Sequence, residues 1–253
     1  MAIVVFAATY LGAAAIYFAI TRLAVNERAK AFKGMSPGML PPLGIIFGLL
    51  VGFIAAQVWS DFEKAHVAVV TEASALRAIV LLARVFPPEQ EARLRSLVDA
   101  HIENVIDSEW PAMASQHATL NSLPNKLTEA LEAAFALTPA NEGQRMAQRE
   151  MVTAFQQALD ARRQRIIISQ SSVSSIKWAG LLLQALCTLV AIAMVHSDNR
   201  TTCAIALTIF STGIAMSILL IASYNRPFTG EVSIGPGLLK QVLPSAGPPS
   251  AGH

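Results

Sequence analysis

Apolar and polar positions divide the chain into blocks of two kinds. Four blocks are almost wholly apolar: Ile3 to Ala24, Leu43 to Val58, Ala179 to Val195 and Cys203 to Ala222. About 20 apolar residues of helix suffice to cross a bilayer core, so each reads as a transmembrane helix. Between the second and third blocks the pattern changes. There, apolar positions recur at helical spacing on a polar background. Phe62, Val69, Leu76 and Ala83 are spaced by seven, with Ala65, Glu72, Ile79 and Phe86 interleaved, which is a heptad seam.

Pro87-Pro88 ends that helix. A second is predicted from about Glu89 to Met113, on Leu94, Leu97, Val98, Ile102, Val105 and Ile106, with Pro111 stopping or kinking it. A third follows Ser122, has Pro124 near its first turn and runs to Leu137. A fourth opens at Thr138-Pro139, carries Val152, Leu159, Ile166 and Val173, and continues through Lys177-Trp178 into the third span.

No breaker separates the second span from the first polar helix. One helix from Leu43 to Phe86 would be about 65 Å long at 1.5 Å per residue, about twice a bilayer core. Two such helices, each half span and half stalk, are expected to pack antiparallel along their seams. The expected fold class is an all-α membrane protein with four transmembrane helices and a helical-bundle stalk inserted between spans two and three. Its divisions are residues 1–59 (spans one and two with a connector), 60–176 (stalk), 177–222 (spans three and four) and 223–253 (a tail). The Pro/Gly/Ser-rich end of the tail is expected to be disordered.

Composition strengthens the membrane reading. Of 253 residues, 53% are hydrophobic and only 14% charged, where soluble domains carry about 25% charge. The first apolar block lacks the leading positive charge of a secretory signal; its charges, Arg22, Arg28, Lys30 and Lys33, come after it. It is read as a retained span. A multi-pass membrane protein, with the lipid bilayer as its first partner, is the expectation. A net charge of +2 is too slight to argue for nucleic acid.

The basic connector after span one favours a cytoplasmic connector and an extracytoplasmic stalk. Arg162, Arg163, Arg165 and Lys177, ahead of span three, pull the other way. The connector is the denser short cluster and tips the reading toward an extracytoplasmic stalk.

Little in the chain points to catalysis. His66, His101, His117 and His196 have no metal-ligand spacing, and Cys187 and Cys203 lie in apolar runs without metal or redox spacing. There is no phosphate loop, nucleophile elbow or triad, so neither an enzyme, a metal nor a cofactor is expected. Asp99, Glu103 and Asp107 fall at fourfold spacing on one helix, as a solvated face does. No Asp, Glu, Lys or Arg lies deep in a span, which disfavours a proton-relay pump. Gln57, Gln184 and Thr188 are the polar groups in or near the spans; they suit interhelical hydrogen bonds or a polar path equally.

Three groups of residues are candidate sites. Gly44, Gly48, Gly52 and Ala56 recur every fourth place in span two, a pattern that lets another helix approach closely in hydrocarbon. That helix could be a span of the same subunit or of a second copy, or the stripe could face a pore. Glu72 occupies an apolar seam position, where a carboxylate needs a partner. Antiparallel pairing with Trp59 level with Lys177 sets it about opposite residue 164, making Arg162, Arg163 and Arg165 candidates for an ion pair that fixes register. Arg226-Pro227-Phe228, with Gly230, follows span four; it suits either an interfacial anchor with an aromatic belt residue or a tail that folds back onto the stalk.

The Gly-rich span leading to Gln57-Val58-Trp59, then Glu72-Ala73-Ser74-Ala75-Leu76, then Glu109-Trp110-Pro111, and finally Asn225-Arg226-Pro227-Phe228-Thr229-Gly230 together resemble the bestrophin-like family of bacterial membrane proteins. The likeness runs from about residue 43 to 242. It implies a distant relation to bestrophins, pentameric anion channels whose pores are lined by one transmembrane helix per subunit. The expectation is therefore a homo-oligomeric channel for chloride or other small anions, with span two as pore helix and Phe47 or Ile54 as an apolar gate. No acidic calcium clasp of the animal kind is present, so calcium gating does not carry over. The rival expectation is a non-conducting scaffold or signalling protein whose stalk binds a partner.

Overall fold

In hydrocarbon no water is at hand for backbone amides, so an apolar run has the helix as its local answer. The structure, a computed structural model, describes residues 1–23, 32, 36–120, 124–230 and 232–244. Arg28, Lys30 and Lys33 of the basic connector, Ser122, and the tail from residue 245 lie outside these. All described elements are helical. They are α1 (Ala2–Leu23), a 3-10 turn (Pro37–Met39), α2 (Leu40–Ala83), α3 (Pro88–Asn104), a π turn (Val105–Glu109), α4 (Trp110–Ala114), α5 (Asn125–Phe135), α6 (Glu142–Ser169), α7 (Ser175–Val195), α8 (Arg200–Tyr224) and α9 (Gly237–Lys240). Four of them, α1, α2, α7 and α8, are long and apolar enough to cross a membrane.

The chain forms two compact units. The first comprises Met1–Ser60 and Ser172–Asn225, the second Asp61–Ser171 and Arg226–His253. In the first, Phe47, Ile54 and Val58 of α2 meet Leu181, Leu189 and Ile192 of α7 and Leu207, Ile214 and Ile221 of α8. Gln57, Gln184 and Thr188 are each engaged between or within helices. Gln184 Nε2 donates to Leu43 O at 3.3 Å, Thr188 Oγ1 donates to Gln184 O at 2.9 Å, and Lys177 Nζ donates to Gln57 Oε1 at 2.5 Å. Trp59 lies 5.1 Å from the Tyr224 ring, centroid to centroid.

In the second unit the seam of α2 is buried at Ala65, Val69, Glu72, Leu76, Ile79 and Ala83. It packs with Leu94, Val98 and Ile102 of α3, Leu127, Ala130 and Ala134 of α5, and Met151, Phe155 and Ala158 of α6. Burying each large aliphatic side chain contributes about 1.5–3 kcal/mol.

The structure corrects the boundaries at four places. Helix α2 stops at Ala83 rather than Phe86, because the residue before a proline is pushed out of the helical region. Pro111 does not end its helix; the π turn ahead of it absorbs the missing donor and α4 continues to Ala114.

The largest change concerns the second long helix, which is two. Helix α6 ends at Ser169 and α7 begins at Ser175, with Ser174 extended at φ −61°, ψ 151°. The intervening run, Gln170-Ser171-Ser172-Val173-Ser174, is rich in hydroxyls that compete for backbone groups. Ser169 Oγ already donates to Ile166 O at 2.7 Å, and the Val173 amide is taken by Asn225 Oδ1 at 2.7 Å. Helix α6 also opens at Asn141, not Pro139. Asn141 Oδ1 accepts from Gln144 N at 2.9 Å, an N-cap, while Gln144 Oε1 accepts from Ala140 N, the residue before the cap, at 2.7 Å.

Candidate functional site

Two places concentrate the candidate residues, one in each unit. In the first unit they lie on the apolar part of α2. A helix can bury only one stripe against a bundle, and α2 buries the stripe of Phe47, Ile54 and Val58. Phe47 meets Phe210 of α8, with ring centroids 5.5 Å apart. These two residues are therefore packing residues of the subunit, which corrects their expected placement at a gate. The stripe of small residues is turned elsewhere. Gly48, Gly52 and Ala56 are exposed and Gly44 is half-buried; a Cβ added at any of the three glycines meets nothing within 4 Å. Beside them stand Ile45, Leu49 and Phe53, one helical turn apart, 61%, 56% and 73% exposed.

The second place is a cluster of buried charge. Helix α2 supplies Glu72, α3 supplies His101, the π turn supplies Glu109, and α6 supplies Arg162 and Arg165; all five are buried. Arg165 Nε donates to Glu72 Oε2 at 2.7 Å and its Nη2 to Glu72 Oε1 at 3.1 Å. The same Nη2 donates to Glu109 Oε2 at 3.0 Å. Arg162 holds Glu109 Oε1 from Nε at 2.8 Å and from Nη2 at 2.6 Å. Below the guanidinium of Arg165, the Trp110 ring centroid is 5.1 Å away, and Nη1 lies 3.2 Å from Met113 Sδ. Of the three candidate arginines, then, Arg165 meets Glu72 and Arg162 meets Glu109. Arg163 is exposed, 3.2 Å from Asp160.

Two carboxylates against two guanidiniums make a balanced core. Burial opposes ionisation of Glu72, but the charge and the hydrogen bonds of Arg165 outweigh it and hold the carboxyl below its ordinary value. Burial likewise disfavours the Arg165 cation, and the facing Glu72 and Glu109 more than compensate, keeping it charged. His101 Nε2 is 3.6 Å from Glu72 Oε1, beyond a good hydrogen bond.

A carboxyl whose folded value lies below its unfolded value of 4.5 contributes stability above that pH and loses it as pH falls through the folded value. Melting temperature is expected to be insensitive to this group between about pH 7 and 5 and to fall below about pH 4. The acid slope should be shallower in Glu72→Gln; an unchanged slope would place the acid sensitivity in other carboxyls.

Sequence reasoning passed over Glu109 and His101 as partners. A signal for both existed. Val98, His101, Ile102, Val105 and Glu109 share one helical stripe, so two polar residues stood at apolar positions. Glu103 and Asp107 are exposed and Asp99 is half-buried.

The residues after span four belong to the second unit. Phe228 is buried edge-on against Trp110, centroids 5.6 Å apart at 89°, so it is a core residue and not one of an aromatic belt. Trp110 Nε1 donates to Ile234 O at 3.3 Å, Ile234 N donates to Pro227 O at 2.8 Å, and Thr229 Oγ1 donates to Ala114 O at 2.7 Å. Gly230 makes the turn at φ +102°, which a side chain would strain. Arg226 is exposed. Among the described residues no group of three or more His, Cys, Asp or Glu is placed to hold a metal ion.

Comparison with known proteins bears on the family and the fold. A sequence profile of the Bestrophin-like domain matches residues 7–239. A bacterial Bestrophin homologue from Klebsiella pneumoniae carrying one substitution superposes with a TM-score of 0.73 at 12% identity, covering 95% of this chain and 96% of that one. The homologue from the same organism phased on zinc gives 0.72 at 13% identity, over 96% of each chain. A further solved membrane protein gives 0.72 at 16% identity, again over 96% of each. Identities this low establish the shared fold alone. No curated protein matches significantly in sequence.

Proposed function

The chain belongs to the Bestrophin-like domain family, and on that premise we propose that it is an oligomeric anion channel of the bacterial inner membrane, with the open face of α2 lining the conduction path. The observation that carries this reading is the pairing of two rows on that face. Gly48, Gly52 and Ala56 leave room for a second helix to approach, and Ile45, Leu49 and Phe53 form a ladder of apolar side chains beside them. Several copies meeting at the small residues bring the ladders around one axis. Rings of apolar side chains dewet a narrow pore and so gate it, while basic residues near the mouths raise the local concentration of chloride-like anions. In this reading the second unit is a stalk between spans two and three, and the Glu72–Arg165 pair sets the register of α2 against α6.

The rival reading, a scaffold that captures a partner on its stalk, asks for an apolar strip on α3 or α5. Among the described large apolar residues of those two helices only Phe135 is exposed, a single residue and not a strip.

The test is chloride and potassium flux through liposomes holding the purified protein. Wild type is expected to pass chloride in preference to potassium, and Phe53→Ala to raise the flux several-fold. Phe47→Ala, which loosens packing without touching the ladder, should not raise it. Flux equal to that of empty liposomes, from folded and oligomeric protein, would replace the channel reading with the scaffold.

A further inference from the structure

Helix α1 leans on the bundle by a narrow stripe. Ala13 and Ile20 are its buried side chains, and Tyr10 Oη shares a 2.8 Å hydrogen bond with Thr212 Oγ1 of α8. Where it faces α7 it stands off, and the gap is a cleft of about 550 Å³. Its walls include Ala8, Gly12 and Ile16 of α1, Leu182 and Leu189 of α7, and Ile218 of α8. The volume is that of a ligand site. Thr9 is the polar residue in the wall, and its hydroxyl is engaged within α1, donating to Val5 O at 2.8 Å. Water here would lack the two to four polar partners that hold buried water. An empty cleft would forfeit dispersion contacts along its whole length.

We propose that this cleft seats one acyl chain of a membrane phospholipid. Its three walls are helices apolar and long enough to span, so the medium at its mouth is hydrocarbon. On α1 the wall runs from Val4 to Ile16, about 18 Å at 1.5 Å per residue. One leaflet of hydrocarbon is about 15 Å deep, so the cleft is matched to a single chain entering from one side. The floor is cut low by Gly12, where an added Cβ meets nothing within 4 Å.

No residue of α2 lines the cleft. On the reading that copies meet through the open face of α2, the cleft is therefore left to lipid and not to a second copy. A chain seated there fills the space between α1 and α7 and fixes the tilt of α1.

The full-length protein, in liposomes of phospholipid bearing a photoreactive diazirine in one acyl chain, provides the test. Labelling is expected on α1 between Ala8 and Ile16 and on α7 between Leu182 and Leu189. Gly12→Leu, which fills the floor without a clash, should cut that labelling at least fivefold and leave labelling of the outward Leu11, Ile205 and Ile209 unchanged. Leu186→Trp on the facing wall should act alike, should Gly12→Leu misfold. Labelling spread evenly over cleft and outer surface, or indifferent to both substitutions, overturns the proposal. So does an oxidative cross-link between two copies of Gly12→Cys, which would assign the cleft to protein. No ion gradient is used, so the result stands apart from conduction. Cleft labelling retained in a Gly48→Leu variant that still associates with full flux would keep this site while overturning the association face.

Discussion

Arg165→Met is expected to destabilise the second unit by at least about 3–5 kcal/mol, the usual cost of breaking a buried pair. The substitution nearly preserves volume, so the loss is electrostatic. It strips Glu72 of both of its bonds from Arg165 and Glu109 of one, leaving buried carboxylate without a compensating charge. It also removes the cation over the Trp110 ring. Thermal unfolding in detergent reads the effect directly, and a loss under about 1 kcal/mol would mean that water or a rearranged Arg162 reaches Glu72. Charge reversal sharpens the point. Glu72→Arg with Arg165→Glu restores one pair but sets a new carboxylate against Glu109, so the swap should recover only part of the stability. Replacing Glu72, Glu109, Arg162 and Arg165 together by apolar residues should recover more, since the cluster's own desolvation is then relieved.

Gly48→Leu is expected to abolish self-association and, with it, anion flux. The site is well suited to this question because an added side chain meets nothing within 4 Å in the subunit. The fold has room for leucine; a neighbouring helix pressed against the stripe does not, since close approach depends on the absent side chain. Helicity and melting temperature should stay within experimental error of wild type while the oligomer peak in size-exclusion chromatography gives way to monomer. An oligomer that persists with full flux would move the contact between copies off this face.

The four spans were legible because bilayer length and apolarity are properties of composition along the chain. Glu72 was legible because a carboxylate in a heptad seam breaks a pattern. Its geometry with Arg165 followed from counting residues along two helices, although the second of those helices is interrupted. That interruption was not legible: Gln170 to Ser174 contains no proline or glycine, and serines break a helix only when the backbone has other partners, here the Asn225 side chain from distant sequence. Nor was the rotation of α2. In an all-apolar span the hydrophobic pattern carries no phase, so nothing in Phe47 or Ile54 distinguished the side packed on α8 from the side left open. Glu109 was missed for the opposite reason. Its stripe was readable, but the acidic residues around it drew the eye to a solvated face.

The π turn from Val105 to Glu109 has a genetic consequence. Geometrically it is one residue more than an α-helix needs, and it offsets everything after it by about 100°. Loss of a single codon there would restore an unbroken α-helix and leave Trp110 and Met113 in phase beneath the guanidinium, whereas loss of a codon in the regular α-helix before the turn would swing them about 100° away from it. The gene should therefore accept a change of length by one codon between Ile106 and Ser108 far more readily than anywhere in the α-helix that precedes the turn.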